Sequence, residues 1–289
     1  MEEYNNIDLS QWTQVGEGGN GKTYVNPSRP DVILKVNNAR LSTLEAVKHE
    51  FDVAKAVEGL GLPVPKVYEI VRVGDDYATI SQLIKNKKSL SRICHDQPER
   101  TEEMARLLCR KGKDLFSTPC DTSFFPSRKQ QLVWALDYSA YIGRKNLKII
   151  RAFVETIPEK TTCVHGDFQS GNIIQAGDTL YWIDLDRFAC GDPMFDIGHL
   201  FQICQVYSSM KRVQDIFHMT FDQFNSFWDA FAKEYTGKED HSDFDLLAGK
   251  YACLDVIVRT YFITPSFAEK LFFGTIVRKL VRNYFKRDC

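Results

Sequence analysis

No apolar run in the sequence approaches the roughly 18–20 residues that span a bilayer, so no membrane-crossing segment is expected. The first ten residues, MEEYNNIDLS, have neither the basic nor the apolar region of a signal peptide. Neither sign of charge is in excess: 37 Lys and Arg stand against 38 Asp and Glu, a net charge of -1. That balance gives no electrostatic reason to expect a nucleic acid or a membrane surface as partner. The eight cysteines form no CxxC pair and are scattered through the chain. They read as reduced, mostly buried thiols of a cytoplasmic protein rather than zinc ligands. Internal repeats and low-complexity tracts are also missing. A monomer or homodimer is expected.

What is present fits an ordinary globular chain, with 44% hydrophobic and 26% charged residues. Its 289 residues lie near the upper limit for one hydrophobic core, so two lobes are expected. Residues 12–36 show two β-type runs around a glycine cluster, then a third run, VILKV, after a Pro-rich turn. LSTLEAVKHEFDVAKAVEGL reads as a helix, with Ser42 and Glu45 at capping-box spacing and Gly59, Gly61 and Pro63 as its stop. KVYEIVRVGDDYATISQLI reads as a hairpin. The expected division is a small β-rich lobe over 1–81, a hinge over 82–88 and a larger, mainly helical lobe over 89–289.

Residues 16–23, GEGGNGKT, match GxxxxGK[ST] letter for letter. A P-loop of that kind must open a helix, yet Thr23 leads into YVNPSRPDVILKV, where Pro27, Pro30 and β-branched residues oppose one. The better reading is a hairpin whose Gly16, Gly18, Gly19 and Gly21 let backbone amides approach nucleotide phosphates. Lys35 sits in the apolar strand ILKV and is costly to bury unpaired. Glu50 shares a helix face with Val47, Ala54 and Val57, whereas Glu45 does not, so Glu50 is the expected partner. The plainer alternative is an edge-strand lysine and a glutamate paired along its own helix.

VHGDFQSGNII and LYWIDLDRFACGDPMFD carry the densest chemistry. Asp167 and Asn172 lie five positions apart, a spacing that suits a short loop with both ends facing one cleft. Asp184 follows a buried-looking strand. One carboxylate to orient or deprotonate a hydroxyl, with an amide and a second carboxylate to hold Mg2+ on nucleotide phosphates, is the kit of phosphoryl transfer. Asp167 is the expected base or orienting group, and Asn172 and Asp184 the expected magnesium ligands. Asp186 falls on the face of Asp184 if the strand continues. His165 is expected to brace the loop through the backbone. Ordinary turn residues are the bland alternative.

HGDFQSGN (165–172), IDLD (183–186) and GDPMFDIG (191–198), with the glycine loop, Lys35 and Glu50, resemble the aminoglycoside phosphotransferase and choline kinase superfamily of small-molecule kinases. The resemblance implies an α+β, two-lobed protein-kinase-like fold. It implies ATP or GTP between the lobes, with the base near Gln82, Leu83 and Ile84, and a small-molecule hydroxyl acceptor. It makes Asp192 and Asp196 structural braces. The sequence departs from the pattern in its Lys22 and in Lys88, which stands where a glycine often precedes Ser-Leu. HGD rather than HRD, and IDLD rather than DFG, separate the chain from protein kinases, and the eight positions from Asp184 to Asp192 leave no room for a regulated activation loop.

The acceptor is not specified. Phe221, Phe224, Trp228, Phe231 and Tyr235 form either a buried helix face or a cation–π enclosure for a quaternary ammonium. Glu234, Glu239, Asp240, Asp243 and Asp245 offer acids for a polycation, but after residue 196 there are 12 Lys and Arg against 11 acids. A choline, ethanolamine or sugar kinase, a non-catalytic nucleotide-binding protein and a P-loop NTPase using Lys22 and Thr23 are the competing readings.

Overall fold

The computed structural model describes residues 4–18, 21–38, 41–263 and 266–285. It divides into two compact units, Met1–Lys88 with Ile174–Asp186, and Ser89–Ile173 with Arg187–Cys289. The first unit thus takes in residues 82–88, the stretch expected as a hinge, together with a segment from the middle of the chain.

The first unit is built on an antiparallel sheet. Its strands are β1 (Thr13–Gly18), β2 (Gly21–Asn26), β3 (Arg29–Asn37), β4 (Val67–Val73) and β5 (Asp76–Gln82), in the order β1-β2-β3-β5-β4. Alternation sends Leu34, Val71, Ala78 and Ile80 to one face, where they form a closed apolar cluster with Trp12, Tyr24 and Val36 against it. Each fully buried side chain of this kind contributes about 1.5–3 kcal/mol. α1 (Leu44–Gly59) buries Val47, Val53 and Val57. Its N-cap is Thr43, whose side chain accepts from the Ala46 amide. The expected Ser42–Glu45 capping box is therefore corrected: the Ser42 hydroxyl instead donates to Asp76 at 2.7 Å.

β6 (Lys88–Ser89) is two residues long, and β8 (Ile173–Ala176) and β9 (Thr179–Trp182) form a hairpin turning at Gly177, which has φ +58°. This hairpin carries Asp184 into the first unit, held there by the Trp182 amide, which donates to the Pro63 carbonyl at 2.8 Å.

The second unit is helical: α2 (Leu90–Asp96), α3 (Thr101–Ser117), α4 (Arg128–Asp137), α5 (Arg144–Thr156), α6 (Met194–Phe201), α7 (Lys211–Phe217), α8 (Phe221–Thr236), α9 (Ser242–Phe262) and α10 (Phe267–Tyr284). Between α5 and α6, β7 (Thr162–Val164) pairs antiparallel with β10 (Ala189–Gly191). α9 is apolar nearly all round through Ala248–Val258 and is buried accordingly. α6 crosses it closely at Gly198, where a Cβ would lie 2.5 Å from that of Tyr251. Phe224, Phe227, Trp228 and Phe231 of α8 are core residues, so the aromatic periodicity of that helix is spent on packing rather than on a cage for a cation.

Cys120 and Cys190 are disulfide-bonded, with Cα atoms 5.5 Å apart. This corrects the expectation of uniformly reduced thiols. Cys94, Cys109, Cys163, Cys204 and Cys253 are free and buried, as their apolar surroundings suggest.

Candidate active site

In the first unit, GEGGNGKT is a hairpin: Gly18 faces Gly21 across β1 and β2, and Thr23 lies in β2 opposite Gly16. The strand removes the P-loop reading. Gly21 has φ +156°, and a Cβ there would meet the Val36 carbonyl oxygen at 2.3 Å, so only glycine fits. Gly19 lies outside the described residues.

Lys35 is central in the sheet, paired with Thr23 on β2 and Thr79 on β5. Its Nζ lies 2.5 Å from Glu50 Oε1, and Glu50 Oε2 accepts from Asn37 Nδ2 at 3.1 Å. A cavity of about 220 Å³ is lined by Lys35, Asn37, His49, Glu50, Asp184 and Asp186. Asp184 takes a left-handed backbone, φ +64°, which aspartate tolerates better than most residues. The strand does not continue past Trp182, so strand alternation is not what brings Asp186 to the same cavity as Asp184. The chain instead leaves the extended conformation at Asp184 and turns at Asp186 and Arg187. Around the expected hinge, the Gln82 amide donates to the Lys66 carbonyl at 2.7 Å and the Leu83 amide to the Asp31 carbonyl at 2.9 Å. Ile84 is buried. Those two amides are already engaged within the unit.

In the second unit, the loop 165–172 is braced at every step. Asp196, at the start of α6, accepts from the His165 amide at 2.6 Å and the Gly166 amide at 2.8 Å. Burial nevertheless raises its carboxyl to about 6. Gly166 has φ +76°, and a Cβ on it would sit 2.0 Å from the Arg187 carbonyl oxygen. The His165 ring accepts from the Asp167 amide through Nδ1 at 3.3 Å. The Ser170 carbonyl accepts from the Ser91 amide at 3.0 Å. Asp192 accepts from the Met194 amide at 2.9 Å and pairs with Lys160 at 2.9 Å. Asn172 Nδ2 donates to Asp167 Oδ2 at 2.6 Å and to the Asp167 carbonyl at 2.9 Å.

Residues 12–225 of the chain match the model of the Phosphotransferase enzyme family. The chain belongs to that family. Its fold is shared with a choline/ethanolamine kinase family protein from Mesorhizobium loti, at a TM-score of 0.60 and 13% identity over 93% of this chain and 87% of that one. It is shared with a thermostable mutant of aminoglycoside phosphotransferase APH(4)-Ia in ternary complex with ADP and hygromycin B, at a TM-score of 0.61, 15% identity and 94% of each chain. ADP-bound aminoglycoside phosphotransferase APH(2'')-Ib matches at a TM-score of 0.59, 17% identity, 95% of this chain and 94% of that one. The α+β, protein-kinase-like architecture is thereby shared, at identities too low to carry substrate. Mouse acyl-CoA dehydrogenase family member 10 is 25% identical over 191 residues, which is 57% of this chain. The chain spans only 17% of that protein's length.

Three residues that sequence reasoning missed surround Asp167. Arg259 Nη2 donates to Asp167 Oδ1 at 2.7 Å and to the Gly166 carbonyl at 3.1 Å. His199 Nε2 lies 3.1 Å from Asp167 Oδ1, close enough for an ion pair though not aligned as a hydrogen bond, and its Nδ1 is 2.9 Å from Asp255 Oδ2. Asp255 also accepts from Arg259 Nε at 2.8 Å and faces Arg128 at 3.4 Å. Burial pushes the Asp167 carboxyl up, but the His199 contact and the Arg259 charge outweigh it and hold the group well below the usual carboxylate range. Asp255 is depressed against burial by Arg259 and His199. Burial and Arg259 push His199 down, yet Asp255 and Asp167 together raise it above its ordinary value. The signal available in sequence was LDVIVR: an aspartate and an arginine four apart inside an otherwise apolar helical run.

Among the described residues, no three His, Cys, Asp or Glu side chains gather as a metal cluster. Magnesium held by one or two side chains and by phosphate oxygens needs none, and the side-chain oxygens of Asn172, in the second unit, and of Asp184, in the first, are each of the kind that ion takes. No helix among the described residues is long and apolar enough to cross a membrane.

Proposed function

We propose that this phosphotransferase moves the γ-phosphate of ATP or GTP to a hydroxyl of a small molecule, with Asp167 orienting that hydroxyl. The observation that carries the reading is the Asp167 carboxylate, kept ionised by His199 and Arg259 and tied to Asn172. The acceptor oxygen attacks the γ-phosphorus, the bond to the β–γ bridging oxygen breaks, and the nucleoside diphosphate leaves with those electrons. The hydroxyl proton passes to Asp167 or to the transferred phosphate as the new bond forms. A carboxylate with so low a proton affinity is a weak base in the ground state. Its work is to accept the hydroxyl's hydrogen bond and aim the oxygen, which suffices for a loose phosphoryl transition state.

Lys35, fixed by Glu50, is assigned to the α- and β-phosphates, and Gly16, Gly18 and Gly21 to backbone contact with them. Asn172 and Asp184 are assigned to magnesium. Asn172 spends its amide nitrogen on Asp167, so its oxygen is the atom that would serve as the donor to such a cation. Magnesium, when bound, neutralises charge developing on the phosphate oxygens. Solved relatives in complex with ADP support a nucleotide donor.

The test follows labelled γ-phosphate from ATP and from GTP into a panel of alcohols. Asp167→Asn should cut turnover about 10²–10⁴-fold with nucleotide affinity nearly unchanged. Near-normal turnover in that variant would remove Asp167 from its role, and no transfer to any acceptor with tight nucleotide binding would favour a non-catalytic binding protein.

A further inference from the structure

Resting on the phosphotransferase reading, we infer that the acceptor is an alcohol with a flat apolar or aromatic body and a negative charge, not a polycation. The site is a second cavity, of about 420 Å³, lined by Tyr138, Ser139, Tyr141, Thr260, Tyr261 and Lys270, with no carboxylate among the described residues of its wall. It belongs to the same unit as the catalytic loop. Thr260 and Tyr261 directly follow Arg259, the residue that grips Asp167, on α9.

The chemistry of the wall is specific. Tyr138 and Tyr261 stand with ring centroids 5.3 Å apart at a tilt of 39°, offering flat apolar faces. The Tyr141 hydroxyl is buried beside Ser139 and Thr260 yet in hydrogen-bonding geometry with no described residue. A buried hydroxyl without a partner is costly, and an oxygen on a ligand would satisfy it. Lys270 supplies the charge. Its neighbour Glu269 does not cancel it, because that carboxylate is spent on the Ser266 amide and hydroxyl at 2.8 and 2.7 Å, capping α10. Further along α10, Arg278 donates to the Tyr141 carbonyl at 3.3 Å and holds that residue in place. Among the described residues of this wall a polyamine would meet a cation and no acid; an aromatic anion would meet rings and a lysine.

The experiment compares two probes of one shape, 3-phenyllactate and phenylalaninol, each an alcohol with a phenyl ring, one anionic and one cationic. Binding to the full chain is measured by ligand-observed NMR for the native protein and for Lys270→Glu, whose exposed position leaves folding intact by circular dichroism. Phenyllactate should bind about tenfold more tightly than phenylalaninol, and Lys270→Glu should reverse the order. Equal or preferred binding of phenylalaninol, no binding of phenyllactate at about 10 mM, or an unchanged preference in Lys270→Glu would each overturn the inference. Binding does not require transfer. Anion preference without phosphorylation of any alcohol would overturn the activity and leave the pocket, whereas phosphorylation of a polycation such as kanamycin would keep the activity and overturn the acceptor class.

Discussion

Replacing His199 by glutamine tests the buried charge network from both ends. Gln keeps a donor and loses the charge. His199 is 3.1 Å from Asp167 and 2.9 Å from Asp255, with its side chain 6% exposed. At an effective dielectric of about 20, each contact is worth about 5 kcal/mol of attraction, offset by several kcal/mol of desolvation per ion. Breaking such a network from one side leaves carboxylates under-compensated, so about 3–5 kcal/mol of stability should go. At about 2–4 °C per kcal/mol for a chain of this size, the melting temperature at neutral pH should fall by about 10 °C.

The sign with pH follows from the directions of the shifts. His199 is raised above 6.5 in the fold, so its contribution is complete below 6.5 and is lost as pH climbs through its folded value. Asp167 and Asp255 are depressed below 3.8, so theirs is complete above 3.8 and is lost as pH falls through their folded values. The gap between native and His199→Gln melting temperatures should be widest between those limits and shrink on the alkaline side. The Asp167 carboxyl should also titrate at higher pH in the variant, read by carboxyl carbon NMR against Asp167→Asn. A melting-temperature loss below about 3 °C, a gap that widens at alkaline pH, or an unmoved Asp167 titration would refute the network's role.

Three further outcomes are expected. Gly166→Ala places a Cβ 2.0 Å from the Arg187 carbonyl at a left-handed φ. It should cost at least about 2–3 kcal/mol in urea unfolding and slow turnover more than it weakens nucleotide binding. Cys120→Ser removes a bond closing 70 positions, worth about 4 kcal/mol by chain entropy. Non-reducing peptide mapping should find the Cys120–Cys190 link in the native protein, and dithiothreitol should lower its melting temperature but not that of the variant. Glu50→Gln releases Lys35 from a pair that is about a third exposed, so stability should change by under about 1 kcal/mol while calorimetry shows nucleotide affinity falling several-fold.

What could be read from the chain in advance is what lies close together in it. The glycine hairpin, the offsets that put Glu50 on the face of Val47 and Val57, and the five-residue step from Asp167 to Asn172 all depend on local geometry. Misreadings arose where a tertiary partner decides between neighbours. Ser42 has a hydroxyl as able to cap as that of Thr43, but Asp76 takes it. LYWIDL looks like one strand, but pairing stops at Trp182 and the chain turns, so Asp184 and Asp186 share a cavity for a reason alternation does not supply. The Cys120–Cys190 bond, made across 70 positions, has no local mark.

The role of Asp167 depends on the same distinction. Under the proposed reading, its position in HGDFQSGN makes it the group that meets the acceptor, but a carboxylate in that position serves equally as a proton acceptor or as an aiming group. Environment decides between them, and the environment comes from His199, Asp255 and Arg259, which are 32 to 92 positions away. α6 and α9 bring them in, and Gly198 is what lets the two helices approach. By holding Asp167 strongly ionised, the network trades basicity for a fixed orientation. That exchange suits a loose phosphoryl transfer, in which the hydroxyl need not give up its proton before the bond to phosphorus forms.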